Sequence, residues 1–306
     1  MSQPLPETTE SLRRIWRRRW RRPFWLGVAT LIVGLQAWAW LIEPGRLVQR
    51  DYTLRLPNWS RACDGLRVDV LADIHTGSPR NGVDNLDRIV RTVARGDADA
   101  VLLAGDYVIY RVFLGTYIAP DVVARHLAPL ARAKPVYAVL GNHDWWKGGD
   151  DMRQVLEATG ITVLQNEAAL ARLGRCRVWI AGIGDLWEGA PDIEAAYADV
   201  PPGEPVIALT HNPDLFPQIP TRTALTVAGH THGGQIRLPL FGRLVVPIKS
   251  RRYAAGHVIE AGRQLFVSTG IGTSIVPVRL GVPPEISRLT LRPMPTGQAG
   301  QAGQVE

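Results

Sequence analysis

Short apolar runs and polar segments of helical periodicity alternate along residues 64–235. Six of the apolar runs have the length of a buried strand, and small or polar residues follow each of them. They are LRVDVLA (66–72), AVLLA (100–104), VYAVL (136–140), RVWIAGI (177–183), VIALT (206–210) and ALTVA (224–228). Between them, residues 82–96 and 121–133 place apolar side chains three and four apart, which predicts amphipathic helices. Strands that alternate with helices predict an α/β sheet with parallel portions.

The pattern changes after residue 235, where proline and glycine separate short apolar runs and the helical periodicity ends. These runs predict strands at IRLPL (236–240), LVVPI (244–248), AGHVIE (255–260), QLFVST (264–269) and SRLTLR (287–292). We interpret residues 64–292 as one domain. Residues 43–63 are expected to form a linker and a first strand, YTLRLP. The low-complexity end, residues 293–306, is expected to be a disordered tail.

The longest apolar stretch, FWLGVATLIVGLQAWAWLI at residues 24–42, contains no charged residue. A helix needs about 20 such residues to cross a bilayer. Tryptophans lie near both ends of the stretch, where the membrane interface favours them. The pattern therefore predicts one N-terminal transmembrane helix before the domain.

The positive charge is concentrated near the N-terminus, and this distribution indicates whether nucleic acid is a partner and how the chain is oriented in a membrane. The formal net charge is +7, which raises nucleic acid as a partner, but residues 1–23 alone carry seven arginines against two glutamates. The basicity thus belongs to one segment, and we expect no nucleic acid polymer as a partner. Positively charged flanks stay in the cytoplasm, so residues 1–23 are predicted to be cytoplasmic. Residues 43–306 are predicted to lie on the extracytoplasmic side of the cytoplasmic membrane.

The same residues allow a second interpretation. RRPFWL, at residues 21–26, resembles a twin-arginine export signal, and Ala37-Trp38-Ala39 is a weak cleavage site. We favour an uncleaved anchor over a removed signal. Both interpretations export the domain.

Two cysteines, Cys63 and Cys176, are present, and their separation matches no zinc-binding spacing. In an oxidising compartment they could pair. We expect them to be reduced and buried.

Residues with ligand chemistry follow five of the six apolar runs. They are Asp73 and His75, Asp106, Asn142 with His143 and Asp144, His211, and His230 with His232. Ligand sites in open α/β sheets lie outside the carboxyl ends of the strands, so we expect these side chains to meet there. Five of the seven histidines occupy these positions, whereas His126 is predicted on a helix surface and His257 in a later strand.

The motifs DIH (73–75), GD (105–106), GNHD (141–144), THNPD (210–214) and GHTHGGQ (229–235) resemble those of the calcineurin-like metallophosphoesterases. The resemblance covers residues 64–292. Residues 270–286, GIGTSIVPVRLGVPPEI, resemble the bacterial branch that is membrane-anchored or exported by the twin-arginine route. The resemblance implies an α/β fold, a two-sheet β-sandwich flanked by helices (αββα), after the transmembrane helix.

The resemblance also implies a site for two divalent metal ions. The first would be held by Asp73, His75 and His232, the second by Asn142, His211 and His230, and Asp106 would bridge both. Mixed oxygen and nitrogen ligands suit manganese, zinc or iron. Two such ions bind phosphate oxygens and lower the pKa of a shared water, whose hydroxide attacks phosphorus.

The same resemblance implies roles for residues next to the predicted ligands. His143 is expected to stay off the metals and to stabilise or protonate the departing oxygen. Asp144 is expected either to orient that imidazole or to cap a turn. Trp145 and Trp146 could line the substrate cleft or pack between loops.

The resemblance implies a metal-dependent phosphoric ester hydrolase of the phosphodiesterase type. A cell-envelope lipid or a nucleotide is the expected substrate, since the domain is predicted outside the cytoplasm. One alternative is UDP-2,3-diacylglucosamine diphosphatase of lipid A synthesis, but its substrate is cytoplasmic. A second alternative is an inactive metal-binding scaffold, which is expected to have lost ligands, whereas all seven are present.

Overall fold

A computed structural model describes residues 9–295, with side chains from residue 21 onward. Residues 1–8 of the predicted basic segment and 296–306 of the predicted tail lie outside it. Helix α1 (Thr9–Ala37) continues through a π-helical turn, Trp38–Ile42, and a 3₁₀ turn, Glu43–Gly45. Within the described residues, Arg21–Gly45 has the length and composition of a membrane span.

The rest of the described chain forms strands and five further helices. The strands are β1 (Val48–Leu56), β2 (Leu66–Leu71), β3 (Ala100–Ala104), β4 (Val136–Val139), β5 (Thr162–Val163), β6 (Glu167–Leu173), β7 (Cys176–Ile183), β8 (Val206–Thr210), β9 (Leu225–Ala228), β10 (Arg237–Leu238), β11 (Gly242–Arg243), β12 (Gly256–Glu260), β13 (Arg263–Val267) and β14 (Glu285–Pro293). The helices are α2 (Val83–Arg95), α3 (Pro120–Ala133), α4 (Asn142–Trp145), α5 (Gly149–Glu157) and α6 (Ile193–Tyr197).

Two six-stranded sheets and a small hairpin organise these strands. The first sheet has the order β1-β14-β2-β3-β4-β5, and the second has the order β12-β13-β9-β8-β7-β6. Pairing is parallel along β2-β3-β4-β5 and along β13-β9-β8-β7. This arrangement confirms the predicted α/β sandwich of two sheets flanked by helices.

The apolar runs are nearly continuous because both faces of each sheet are covered. Between the sheets, Leu102 of β3 and Leu209 of β8 belong to one buried cluster. Helices α2, α3 and α5 cover the outer face of the first sheet through residues such as Ile89 and Leu127. Helix α6 covers the outer face of the second sheet. The sandwich therefore holds its parallel strands rigidly, with their carboxyl ends at one edge.

One predicted strand is absent. LVVPI, at residues 244–248, forms no strand: Pro247 has no N–H to donate, and β11 ends before this segment. The segment after α1, where a linker is expected, begins with a packed residue. Glu43 is buried, and its carboxylate accepts hydrogen bonds from the Trp38 indole (2.7 Å) and from the backbone N–H of Val282 (2.9 Å).

The prediction of reduced cysteines is wrong, because Cys63 and Cys176 form a disulfide. Cys63 lies just before β2 of the first sheet, and Cys176 begins β7 of the second. Both are buried between the sheets, so the bond ties the two layers together. The pairing depends on an approach in space that a separation of 113 residues does not reveal.

Candidate metal centre

All seven predicted ligands lie together at the carboxyl edge of the two sheets. The first sheet supplies Asp73 and His75 after β2, Asp106 after β3 and Asn142 after β4; the second supplies His211 after β8 and His230 and His232 after β9. Each of the seven residues is buried, with at most 5% of its surface exposed. Such a concentration of buried polar groups requires partners, and their geometry shows what kind of partner fits.

One half of the centre consists of acceptor atoms that face one another. His211 uses Nδ1–H to donate to the carbonyl oxygen of Ala104 (2.8 Å), so its Nε2 carries a lone pair when the ring is neutral. His230 uses Nε2–H to donate to the carbonyl oxygen of Pro247 (3.2 Å), so its Nδ1 carries the lone pair. These two nitrogens lie 3.1 Å apart, and each lies 3.1 Å from Oδ1 of Asn142. A cation satisfies all three acceptors at once.

The other half repeats this arrangement. His75 donates from Nδ1 to the carbonyl oxygen of Val108 (3.1 Å), which leaves a lone pair at Nε2. That nitrogen lies 3.1 Å from Nε2 of His232, which is itself 3.6 Å from Oδ1 of Asp73. Among the described residues, Oδ2 of Asp73 is buried without a hydrogen-bond partner. The donor atoms of these three residues lie close enough together to hold one metal ion.

Asp106 lies between the two halves. Its Oδ2 is 3.4 Å from Nε2 of His75 and 3.3 Å from Nε2 of His211. Its other oxygen accepts a hydrogen bond from the backbone N–H of His143 (2.8 Å), which fixes the carboxylate plane. One oxygen is therefore directed at both groups of acceptors.

Burial and charge set the protonation of these groups. Burial lowers the pKa of His75 and that of His230 to about 3, and it holds the pKa of His232 well below its usual range. Burial also lowers the pKa of His211, but the Asp106 carboxylate outweighs it and raises that pKa well above its usual range. The centre thus combines neutral imidazoles at His75, His230 and His232 with a carboxylate, Asp106, that favours positive charge at His211.

The backbone of the centre is held in an uncommon conformation. Five of the seven candidate ligands have a positive φ although they are not glycine: Asp73 (47°), His75 (44°), Asp106 (59°), His230 (68°) and His232 (50°). Such residues persist where the surrounding structure imposes them, and they concentrate at functional sites. Gly233 (58°) and Gly234 (74°) also turn left-handed, as expected for the tight bend after the two histidines.

His143 borders the centre with a defined tautomer. The backbone N–H of Tyr110 donates a hydrogen bond to Nδ1 of His143 (3.0 Å). Because Nδ1 is an acceptor, the neutral ring carries its proton on Nε2. Burial lowers the pKa of His143, so the neutral ring is favoured. Its ring centroid is 4.5 Å from that of His75, which places this N–H donor beside the ligands.

The carboxylate of Asp144 does not contact the imidazole of the preceding residue. It accepts hydrogen bonds from the backbone N–H groups of Gly141 (2.9 Å), Asp106 (2.8 Å), Tyr107 (2.8 Å) and Val108 (3.3 Å). Of the two expected roles, the structure agrees with the cap. The cap joins the loop after β3 to the loop after β4.

Aromatic rings surround the mouth of the centre. The ring of Trp146 lies 5.1 Å from the ring of His143 and 5.2 Å from that of Tyr110. Trp187 lies edge-on to His230, with a centroid distance of 4.4 Å, and stacks 6.4 Å from Trp146. These side chains are partly exposed, so they form a wall that a substrate can reach.

Sequence reasoning missed Trp187. It follows β7, the one apolar run of the six to which no ligand was assigned. Its backbone N–H donates to Asp185, a buried carboxylate that fixes this loop at the same edge of the sheets (2.8 Å). The signal that could have identified Trp187 was its position after the carboxyl end of β7. Trp145, by contrast, packs against the core beneath the first sheet.

Residues 66–234 match the family model of the calcineurin-like phosphoesterases, and all seven ligands lie within this range. The chain belongs to the calcineurin-like phosphoesterase family. It is therefore a hydrolase that acts on phosphoester bonds. The family typically uses divalent metal ions, and the chain presents clusters of side chains that could hold a metal ion, among them Asp73, His75 and His232.

Several curated relatives support this assignment. The chain is 35% identical to phosphodiesterase YaeI of Escherichia coli (strain K12) over 198 residues, which cover 63% of the chain and 70% of YaeI. It is 26% identical to the uncharacterized metallophosphoesterase YkuE of Bacillus subtilis (strain 168) over 268 residues, which cover 85% and 90%. A transmembrane protein with a metallophosphoesterase domain from Bos taurus is 28% identical over 250 residues, which cover 76% and 54%.

Solved structures with this likeness are more distant. A 5'-nucleotidase precursor from Thermus thermophilus is 17% identical, with a TM-score of 0.41, over 66% of this chain and 48% of the nucleotidase. A dimetal phosphatase from Danio rerio is 13% identical, with a TM-score of 0.40, over 68% and 88%. The chain spans about half the length of the nucleotidase.

Proposed function

We propose that this phosphoesterase is a membrane-anchored phosphodiesterase with two divalent metal ions in the centre described above. The observation that carries the proposal is the pair of acceptor groups that share Oδ2 of Asp106. When both rings are neutral, Nε2 of His211 and Nδ1 of His230 carry lone pairs, because the other nitrogen of each ring donates to a carbonyl oxygen. These two atoms lie 3.1 Å apart. Buried acceptors without a donor between them are unfavourable unless a cation compensates.

The donor atoms define two sets of ligands. One ion would be held by Asp73, His75 and His232, and the other by Asn142, His211 and His230, with Asp106 serving both. Oxygen and imidazole donors without a thiolate suit manganese, zinc or iron. The carbonyl oxygens that fix the rings of His75, His211 and His230 support this assignment, since metal-binding imidazoles commonly donate their other N–H in this way.

The reaction combines these ions with residues of the chain. Two such ions, when bound, orient the phosphoester, offset the charge on its oxygens and lower the pKa of a nearby water. We infer that the Nε2–H group of His143 donates a hydrogen bond to the departing oxygen and so stabilises its negative charge, because the Tyr110 N–H at Nδ1 keeps the proton on Nε2. Asp144 maintains this geometry indirectly, by holding the loops that carry Asp106 and His143 together.

We propose that the catalytic domain lies on the extracytoplasmic side of the cytoplasmic membrane, after a single pass with the N-terminus inside. The arginines before the span support this orientation. The disulfide between Cys63 and Cys176 supports it independently, because such bonds form in oxidising compartments and are rare in the cytosol. Both observations count against UDP-2,3-diacylglucosamine diphosphatase activity, whose substrate is cytoplasmic. They favour the membrane-anchored branch of the family and a cell-envelope substrate.

The hydrolase proposal is tested with the full-length protein in detergent, using bis-p-nitrophenyl phosphate and added Mn²⁺. We expect hydrolysis that a chelator abolishes and that Mn²⁺ restores. His126→Ala is a matched control, since this histidine lies on α3 and pairs with Asp87 away from the centre. Hydrolysis that is indifferent to the chelator would contradict the proposal. Bound metal without hydrolysis would instead identify an inactive scaffold.

The orientation is tested separately with reporters fused after residue 306. We expect an alkaline phosphatase fusion to be active and a fluorescent protein that folds only in the cytoplasm to be dark. The opposite pair of results would put the domain in the cytoplasm. UDP-2,3-diacylglucosamine diphosphatase activity would then again be a possible function.

A further inference from the structure

Three loops near the metal centre expose large apolar side chains. We call six of them the apolar rim, and each is at least 58% exposed: Phe113, Leu114, Leu240, Phe241, Val245 and Ile275. Single exposed apolar residues are ordinary on protein surfaces, whereas a contiguous group on adjoining loops marks an interaction surface.

Hydrogen bonds join the three loops into one surface. Val112 forms a bridge with Ile275, which connects the loop at residues 109–117 to the segment 274–282. Ile236 forms a bridge with Leu280, which connects the loop at residues 236–248 to the same segment. The segment 274–282 therefore lies between the other two loops and is hydrogen-bonded to both of them.

The same segment receives the end of the membrane helix. The backbone N–H of Arg279 donates to the carbonyl oxygen of Ala39 (3.1 Å), and that of Val282 donates to Glu43 (2.9 Å). The ring of Trp40 packs edge-on against Phe113 of the rim, with a centroid distance of 6.4 Å. The point where the span ends is thus fixed directly beside the rim, without a free linker.

The charged residues within two of the rim loops are all basic. Residues 236–252 contain Arg237, Arg243, Lys249, Arg251 and Arg252 and no acidic residue. Residues 109–117 contain Arg111 and likewise no acidic residue. Apolar side chains surrounded by arginine and lysine are typical of surfaces that lie in the headgroup region of anionic membranes.

We propose that the apolar rim is a membrane-docking surface, which enters the headgroup region of an anionic bilayer beside the exit of the membrane helix. The inference rests on the membrane attachment proposed above and extends it from the helix to the catalytic domain. The apolar side chains supply the buried area, and the surrounding cations face lipid phosphates.

Docking at the rim bears on the substrate, because the loops of the rim also contact the centre. Tyr110 precedes Phe113 and donates to Nδ1 of His143 (3.0 Å). Pro247 follows Val245 and accepts from Nε2 of His230 (3.2 Å). A docked rim therefore presents the centre to the lipid headgroups. The geometry points to a phosphoester carried by a membrane lipid rather than a soluble nucleotide.

The docking surface is tested without relying on catalysis. The full-length protein is reconstituted into vesicles that contain phosphatidylglycerol, with the environment-sensitive dye NBD attached to Leu240→Cys. Ala133→Cys is the matched control, since Ala133 is exposed at the opposite end of the sheets, before β4. The native cysteines are paired and do not take the dye. A spin-labelled lipid with its nitroxide near the headgroup reports on contact with the bilayer.

We expect the dye at residue 240 to emit at shorter wavelength and to lose roughly half of its intensity to the spin-labelled lipid, as for a group at the headgroup boundary. The dye at residue 133 should stay water-exposed. Phe241→Asp in the Leu240→Cys protein should reduce the quenching. Equal, unquenched emission at both positions would overturn the proposal.

A second copy of the chain is the competing occupant of the rim. Blue-shifted emission at residue 240 that the spin-labelled lipid does not quench, and that fades as the protein is diluted in the vesicles, would assign the rim to self-association and overturn docking. The labelled proteins are also assayed on bis-p-nitrophenyl phosphate with Mn²⁺. A failure of that assay counts against the proposed hydrolase, whereas the dye reports on docking alone.

Discussion

The backbone N–H of Tyr110 donates a hydrogen bond to Nδ1 of His143 over 3.0 Å. A backbone amide cannot accept a proton, so this contact requires Nδ1 to be unprotonated and places the ring proton on Nε2. A nitrogen that carries a proton cannot bind a metal ion. The contact therefore separates His143 from the histidines whose rings donate to carbonyl oxygens and keep a free lone pair. Because of this difference in tautomer, substitution of His143 should affect the rate of hydrolysis but not the metal content.

His143→Gln should lower the rate of hydrolysis while leaving the metal content intact. Loss of a hydrogen-bond donor that stabilises a developing negative charge lowers a rate by roughly a hundredfold to a thousandfold. The measurement is kcat on bis-p-nitrophenyl phosphate together with metal analysis of the purified protein. His126→Gln, outside the centre, should keep both values. Loss of a metal ion from the His143 variant would show that this ring is a ligand.

Asp106→Asn should remove both the activity and most of the bound metal. Oδ2 of Asp106 faces both groups of acceptors, and the amide lacks the negative charge that compensates two cations. A loss of several kcal/mol in transition-state stabilisation corresponds to about a hundredfold in rate or more. Metal analysis and rate measurement check the prediction, with Asp87→Asn as a control on the surface of α2. Full metal content with a normal rate would refute the shared position of Asp106.

Asp144→Ala should act on stability. Its carboxylate accepts from four backbone N–H groups, and each buried group left without a partner costs about 1–3 kcal/mol. We expect the free energy of unfolding, measured in urea, to fall by more than about 3 kcal/mol. If Asp144 acted mainly by orienting His143, the variant would instead lose rate at unchanged stability.

The disulfide should contribute to stability outside the cytoplasm. It closes a loop between Cys63 and Cys176, 113 residues apart, and ties the two sheets together. Removing a native disulfide typically lowers the free energy of unfolding by about 2–5 kcal/mol. Cys63→Ser with Cys176→Ser should show this loss in urea, and a reducing agent should have little further effect on that variant. An equal effect of the reducing agent on both proteins would contradict the prediction.

The convergence of the candidate ligands could be predicted because their signal is local. Each one directly follows an apolar run, and parallel strands bring such positions to one edge of a sheet. The partner of each ligand could not be predicted in the same way. The carbonyl oxygen that fixes His230 belongs to Pro247, in a segment that the sequence assigned to a strand. The amide that fixes His143 belongs to Tyr110, which no motif marks.

Contacts between residues that are distant in sequence explain the other features that sequence analysis did not predict. Cys63 and Cys176 meet only because the two sheets pack face to face, and Glu43 is buried only because residue 282 returns to the end of the N-terminal apolar helix. Both features join positions that are distant in sequence and carry no periodic signal. Hydrophobic patterning specifies which face of an element is buried, but it does not specify which element covers that face.

Removal of the metal should destabilise the native protein, and Asp106→Asn should abolish that effect. The centre buries the carboxylates of Asp73 and Asp106 among lone-pair nitrogens, so bound cations stabilise the folded state selectively. A ligand present at about a hundredfold above its Kd contributes roughly 2.7 kcal/mol by mass action. We therefore expect a chelator to lower the Tm of the wild-type chain by several degrees and Mn²⁺ to restore it. The Asp106→Asn chain should have nearly the same Tm with and without chelator, because it retains little metal to lose. A chelator-induced drop of equal size in both proteins would mean that the ions bind somewhere other than between these two groups of ligands.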